Sequence, residues 1–285
     1  MPRKNTKRYP VQRMFQVNQA SPAGNRGLIS ISEHLSKVNH RLYRQSRFYE
    51  AQIHIDADVL EGTTVDVYAL SDTWMVQKSL QMAKMAWDES NAEELEMLNG
   101  KIARWNDFRV SAGVAGTSTY RPVLYTDDSL LPVAFTAGEF DLSEVVDQSG
   151  VTRTFTWDNQ SPGATEYSII GEYDKSGNTS SDPTLPSTGP YTGLLPNLET
   201  GAAAALQDNG NLPPYNANGF GVGHWVKVAT LHLGNGRQRL SSGYFTAPSG
   251  LIIVDGVGIA EYNGQISLEV KRGDYKGVHA PSMLE

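Results

Sequence analysis

Two hydrophobic periods meet near residue 70, and their junction restricts the folds open to this chain. Ile53, Ile55, Ala57 and Val59 alternate with Gln52, His54, Asp56 and Asp58, and after Glu61-Gly62-Thr63 the residues Val65, Val67 and Ala69 resume the alternation. A period of two turns one set of side chains to a core and the other to water, which describes two half-buried strands joined by a short turn. Past Ser71 the period lengthens. Val76, Leu80, Ala83 and Trp87 form one helical stripe, and Leu95, Leu98, Ile102 and Trp105 form another. Two helices, roughly 72–88 and 91–106, are therefore expected within an insertion at 71–109. Ser71 or Asp72 is placed to cap the first, and Ser90 with Glu93 has the spacing of a capping box for the second.

The rest of the chain reads as β. Candidate strands fall at 123–125, 132–135, 152–157, 166–171, 224–233, 238–245, 251–260 and 265–271. Between 173 and 223 runs a long surface loop rich in Gly, Asn, Ser and Pro, with one short helical piece at 198–206. Charged residues make up 19% of the chain and glycines number 27, a balance that fits a loop-rich β protein better than a helical bundle. Ten or so strands with one helical excursion imply a mainly β, antiparallel two-sheet sandwich. The inserted helices are too short to stand alone, so they should pack on the sandwich or on a neighbouring subunit.

Charge divides the chain in two. Residues 1–50 hold ten Lys/Arg against Glu33 and Glu50, a net of +8, so residues 51–285 sum to −15 in a chain of net charge −7. Pro2, Pro10 and Pro22 break any sustained period in 1–27, which reads as an extended arm. Ser30 and Glu33 have capping-box spacing, so a helix is expected after residue 30, with a strand following near Arg47-Phe48-Tyr49. The division into a basic arm, 1–50, and a body, 51–285, suits a chain that offers one end to a polyanion. Arg3, Lys4, Lys7, Arg8, Tyr9 and Arg13 open the arm, and Arg41, Arg44 and Arg47 close it. Phosphates are neutralised by Lys and Arg with release of counterions, and the interleaved Tyr9, Phe15, Tyr43, Phe48 and Tyr49 could stack on unpaired bases. A core role for Phe48 or Tyr49 is the competing reading.

Catalytic and metal chemistry find little footing. Without cysteine there are no disulfides and no thiolate sites. The six histidines are scattered, and neither His54–Asp56 nor His224–His232 has a third ligand at sensible spacing. Asp127-Asp128 suits a turn better than calcium. Gly219-Phe220-Gly221-Val222-Gly223 precedes a strand rather than following one, which removes the helix terminus a dinucleotide phosphate needs. No enzyme activity, metal or cofactor is expected. No apolar run reaches the length of a membrane span, and Met1–Gln19 has none of the apolar core of a secretory signal. On the first inserted helix Met75, Met82 and Met85 lie off the Val76–Trp87 stripe. They are candidates for a subunit contact, or alternatively widen the helix's core face.

A basic, proline-bearing arm, paired strands, inserted helices and a run of strands with a long polar loop resemble the single jelly-roll capsid proteins of viruses. The segment from Val67-Tyr68-Ala69-Leu70-Ser71-Asp72-Thr73-Trp74 through Trp105-Asn106-Asp107-Phe108 is similar to capsid proteins of small circular, Rep-encoding single-stranded DNA viruses, within a likeness covering 1–110. That resemblance implies a jelly roll, self-assembly of many copies into an icosahedral shell, and packaging of single-stranded nucleic acid by the arm, with DNA favoured over RNA. It also implies a virion location, with assembly inside the host cell and no membrane partner.

Two other classes fit the same composition. A carbohydrate-binding or adhesive β-sandwich of a phage or cell-surface appendage would be favoured by exposed Trp157, Tyr191, Tyr215 and Trp225. A sandwich-fold glycan hydrolase would need two carboxylates facing across a cleft.

Overall fold

The structure, a computed structural model, describes residues 10–19, 26–59, 63–97, 105–114, 117–134, 140–177, 223–234, 236–256 and 265–285. Its elements in chain order are β1 (Met14–Gln19), β2 (Arg26–Ser30), α1 (Ile31–Asn39), β3 (Phe48–Val59), β4 (Thr63–Leu70), α2 (Trp74–Ser90), α3 (Ala92–Met97), β5 (Thr117–Tyr125), β6 (Pro132–Ala134), β7 (Glu144–Val146), β8 (Thr152–Thr156), β9 (Glu166–Ser168), α4 (Ile169–Gly177), β10 (Trp225–Leu233), β11 (Gly236–Ser241), β12 (Phe245–Pro248), β13 (Leu251–Gly256), β14 (Gln265–Val270) and β15 (Arg272–Tyr275).

The protein is mainly β and is built on one large, nearly closed sheet of eleven strands. Its path runs β10-β4-β13-β2-β5-β1-β14-β3-β11, with β12 extending the pairing along β3 and β6 pairing with β5. The two end strands, β10 and β11, follow each other in the chain. β5 joins the two halves. Its first residues pair in parallel with β2, Arg26 opposite Thr117, and its middle pairs antiparallel with β1, Val17 opposite Pro122. The remaining pairs on the path are antiparallel.

The alternation read from the sequence sets this core. Ala51, Ile53, Ile55 and Ala57 of β3 face inward with Val65, Val67 and Ala69 of β4, while Gln52, His54 and Asp56 stay partly exposed. The two strands do not pair with each other; β3 lies between β14 and β11, and β4 between β13 and β10. β13 reads Leu-Ile-Ile-Val and is buried on both faces, as a strand covered on both sides must be. Ile252 and Val254 join the barrel core, and Leu251 joins a second core on the outer face. That second core packs α2 through Val76, Leu80 and Ala83 against Phe108, Phe155, Trp157, Ile170 and Met283. The small sheet β7-β8-β9 closes over it. Among the described residues no helix is long and apolar enough to cross a membrane.

The boundary expected at residue 50 is absent. Phe15 and Val17 of β1, Ile29 of β2, and Ile31 and Leu35 of α1 are buried in the same core as the rest of the barrel. Helix-then-strand after residue 30 is observed, but Ser30 makes no side-chain capping bond and Glu33 pairs instead with buried Lys37 at 2.6 Å. α2 is capped by Thr73 rather than Ser71 or Asp72, and it runs on through Ser90, which removes that serine from a capping box. The 166–171 strand stops at Ser168, where α4 begins. The strand expected at 238–245 is two strands, β11 and β12. Residues 178–222, including the 198–206 piece, lie outside the described residues.

Candidate nucleic-acid interface

The end of α1 sets the geometry of the basic cluster. His40 adopts a left-handed conformation, φ 49°, and its backbone N–H bonds Ser36 O, which turns the chain at Arg41. The following residues alternate between anchor and surface. Tyr43 is fully buried; its N–H donates to Ser36 Oγ at 2.8 Å and its hydroxyl to Lys276 O at 2.9 Å. Buried Gln45 is tied on both sides to Val110, donating to its O at 3.0 Å and accepting from its N–H at 2.7 Å. Arg41 and Arg44 are left exposed between these anchors.

A second segment, far along the chain, completes the cluster. β15 turns at Lys276 and Gly277, both at positive φ, and returns through Val278. The Arg47 guanidinium lies 3.8 Å from the Tyr275 ring centre and donates to Ala280 O at 3.0 Å. Lys276 Nζ sits 5.3 Å from the Tyr275 ring and 5.8 Å from that of Tyr43, and bonds Leu42 O. Burial lowers the Lys276 pKa, and the charges of Arg41, Arg44 and Arg47 lower it further. Asp107 opposes them, but its own carboxyl is pushed up by burial and accepts from Gln45 N–H at 2.8 Å. Arg41, Arg44 and Arg47 thus lie near Lys276, and the part-buried Asp107 carboxylate faces Arg109 and Arg44 as well as Lys276. Burial also raises the Tyr43 hydroxyl to about 12, so it stays a neutral donor.

The expected residues separate into three groups. Arg41, Arg44 and Arg47 are brought together, and Lys276 with Tyr275 joins them without having been singled out in the sequence. Arg13 lies elsewhere: it is half-buried and donates to Val270 O at 3.2 Å beside β14. Arg3, Lys4, Lys7, Arg8 and Tyr9 lie outside the described residues. The aromatic half of the pattern is corrected. Phe15, Tyr43 and Tyr49 are core residues, with the Tyr49 hydroxyl bonded to Arg44 O at 2.7 Å, so their rings are closed to bases. Phe48 is half-buried against the second core, and the exposed groups of the cluster are the guanidiniums of Arg41 and Arg44, a group that binds phosphate and can itself stack on a base.

The proposed contact helix is corrected at one position. Met75 is partly buried and packs toward the second core, whereas Met82 and Met85 are exposed on the opposite face with Trp74. The tryptophans expected to mark a glycan site do not do so: Trp157 is buried and Trp225 is half-buried against the second core. Tyr191 and Tyr215 lie outside the described residues. Glu50, Asp72 and His279 line a cavity of about 220 Å³ with Phe48 and Pro281. That is smaller than the roughly 300–1,000 Å³ of a typical ligand pocket, and Glu50 is already held by Lys271 at 2.5 Å. Asp127 and Asp128 lie in the β5–β6 turn, where Asp128 accepts from the Ser129 hydroxyl at 3.1 Å. No protein-family model, curated protein or solved structure matches this chain.

Proposed function

We propose that this chain is the shell subunit of a small single-stranded DNA virus: a single jelly-roll capsid protein that assembles in many copies and packages the genome through its basic end. The observation that carries the reading is the cluster of Arg41, Arg44, Arg47 and Lys276, a concentration of positive charge whose mutual repulsion a polyanion relieves. Exposed guanidiniums at Arg41 and Arg44 contact phosphates irrespective of sequence, which suits packaging.

The strand order supports the finer fold. In β10-β4-β13-β2 every neighbour is antiparallel and none is consecutive in the chain, as interleaved Greek keys require. In the other half, β3 is flanked by strands from late in the sequence, β11, β12 and β14. Exposed Trp74, Met82 and Met85 on α2 supply an apolar surface for a neighbouring subunit.

Size-exclusion chromatography with light scattering, reading absorbance at 260 and 280 nm at low and high salt, tests the reading. A megadalton species carrying nucleic acid is expected. A monomer or trimer free of nucleic acid at every salt concentration would overturn it.

A further inference from the structure

The β5–β6 hairpin departs from the barrel. Pairing of β5 with β1 ends at Pro122, and Val123, Leu124 and Tyr125 pair with Ala134, Val133 and Pro132. A two-stranded ribbon has too little core to be stable by itself. This one exposes Leu124, Tyr125, Leu130, Leu131 and Val133. Leu124 and Val133, cross-strand partners, line a cavity of about 280 Å³ with Tyr125 and Thr126.

Leu130 marks the tip as a contact. It is 72% exposed and holds a φ of 52°. In that left-handed region a leucine Cβ crowds the backbone, where Gly or Asn would sit more easily. The turn fixes it there: Leu130 N–H donates to Thr126 O at 3.1 Å, and Leu131 N–H to Thr126 Oγ1 at 3.0 Å. In the lone chain this leucine strains the backbone and buries little, the combination expected where a side chain serves a partner.

We infer that the hairpin tip docks on the outward face of α2 in a second copy of this chain. Trp74, Lys78, Met82 and Met85 fall on that face at helical spacing and all are exposed. Charge complements shape. Asp127 and Asp128 flank the apolar tip, and Lys78 sits between Trp74 and Met82. The two surfaces differ, so the contact is heterologous and repeats from copy to copy until it closes. The inference rests on the self-assembly reading above and names both halves of one contact.

Light scattering of the full chain across a concentration series tests it. Leu130→Gly should raise the melting temperature of the unassembled chain by roughly 2–4 °C while weakening assembly about tenfold. Lys78→Asp and the pair Asp127→Lys with Asp128→Lys should each weaken assembly, and the triple variant should restore it through the reversed charges. Assembly of Leu130→Gly at the wild-type concentration, or a triple variant no better than its parents, would overturn the contact. A wild-type chain that never assembles would defeat the capsid reading as well, whereas wild type and variants assembling alike would defeat this contact alone.

Discussion

Arg47 and Tyr275 stack face to cation at 3.8 Å, binding the segment after α1 to the hairpin formed by β15. The arginine adds a bond to Ala280 O at 3.0 Å, so one side chain both stacks and anchors. A lysine keeps the charge but loses the planar fork. Arg47→Lys should therefore cost about 1–2 kcal/mol of stability, and the loss should shrink in a Tyr275→Leu background. Urea unfolding of the four chains of that cycle measures the coupling. Additive losses would mean that the stacking contributes nothing.

Gly27 and Tyr120 show how β5 can join two halves of the sheet. A Cβ at residue 27 would fall 1.4 Å from Tyr120 Cε2, so the ring occupies the space a side chain would need. Burial pushes the Tyr120 hydroxyl up, in keeping with a ring held in the interior. Gly27→Ala should destabilise by about 1–3 kcal/mol through overpacking. The penalty should fall when Tyr120 is also replaced by Ala. An unchanged denaturation midpoint for Gly27→Ala alone would mean that the ring moves aside freely.

Glu269 supplies an acid-sensitive tie on the outer face of the barrel. It accepts from the Tyr244 hydroxyl at 2.7 Å and meets His54 Nε2 at 3.0 Å, and these bonds, Tyr244 first, hold its carboxyl below the usual carboxylate range. A folded pKa below the unfolded value of 4.5 gives stability that is fully present above that pH. It is lost as pH falls through the folded value. Glu269→Gln should therefore unfold more readily than wild type at pH 7, with the gap closing on acidification below about pH 4. A gap constant from pH 7 to pH 3 would contradict the linkage.

The legible parts of this fold were those with long periods. β3 and β4 alternate over twelve and eight residues, and α2 repeats its stripe through Val76, Leu80 and Ala83, so their inward faces could be named from sequence. β1 and β2 could not. Each turns only two or so apolar side chains inward, among Arg, Gln and Gly, and five or six residues are too few to establish a period. Arg272-Gly273-Asp274-Tyr275 falls outside the expected strands, yet it is β15, held by bridges to Val278. The basic cluster was half legible. Arg41, Arg44 and Arg47 stand together in the chain, whereas Lys276 reaches them only through the barrel's topology. Tyr43 reads as a stacking platform because sequence carries no sign of which side of a loop a ring faces, whereas Tyr49 shares the inward period-two face of Ala51, Ile53 and Ile55 on β3.

Titrating a fluorescein-labelled, mixed-sequence single-stranded DNA with wild type and with the Arg41→Gln, Arg44→Gln double variant, over a series of salt concentrations, tests the proposed role most directly. Wild-type affinity should fall steeply with salt. The double variant should bind more weakly, and the slope of log K against log salt should shrink by about 1.4 for the loss of two phosphate contacts on a single strand. Identical affinities and slopes for the two proteins would remove the cluster at Arg41 and Arg44 from nucleic-acid binding.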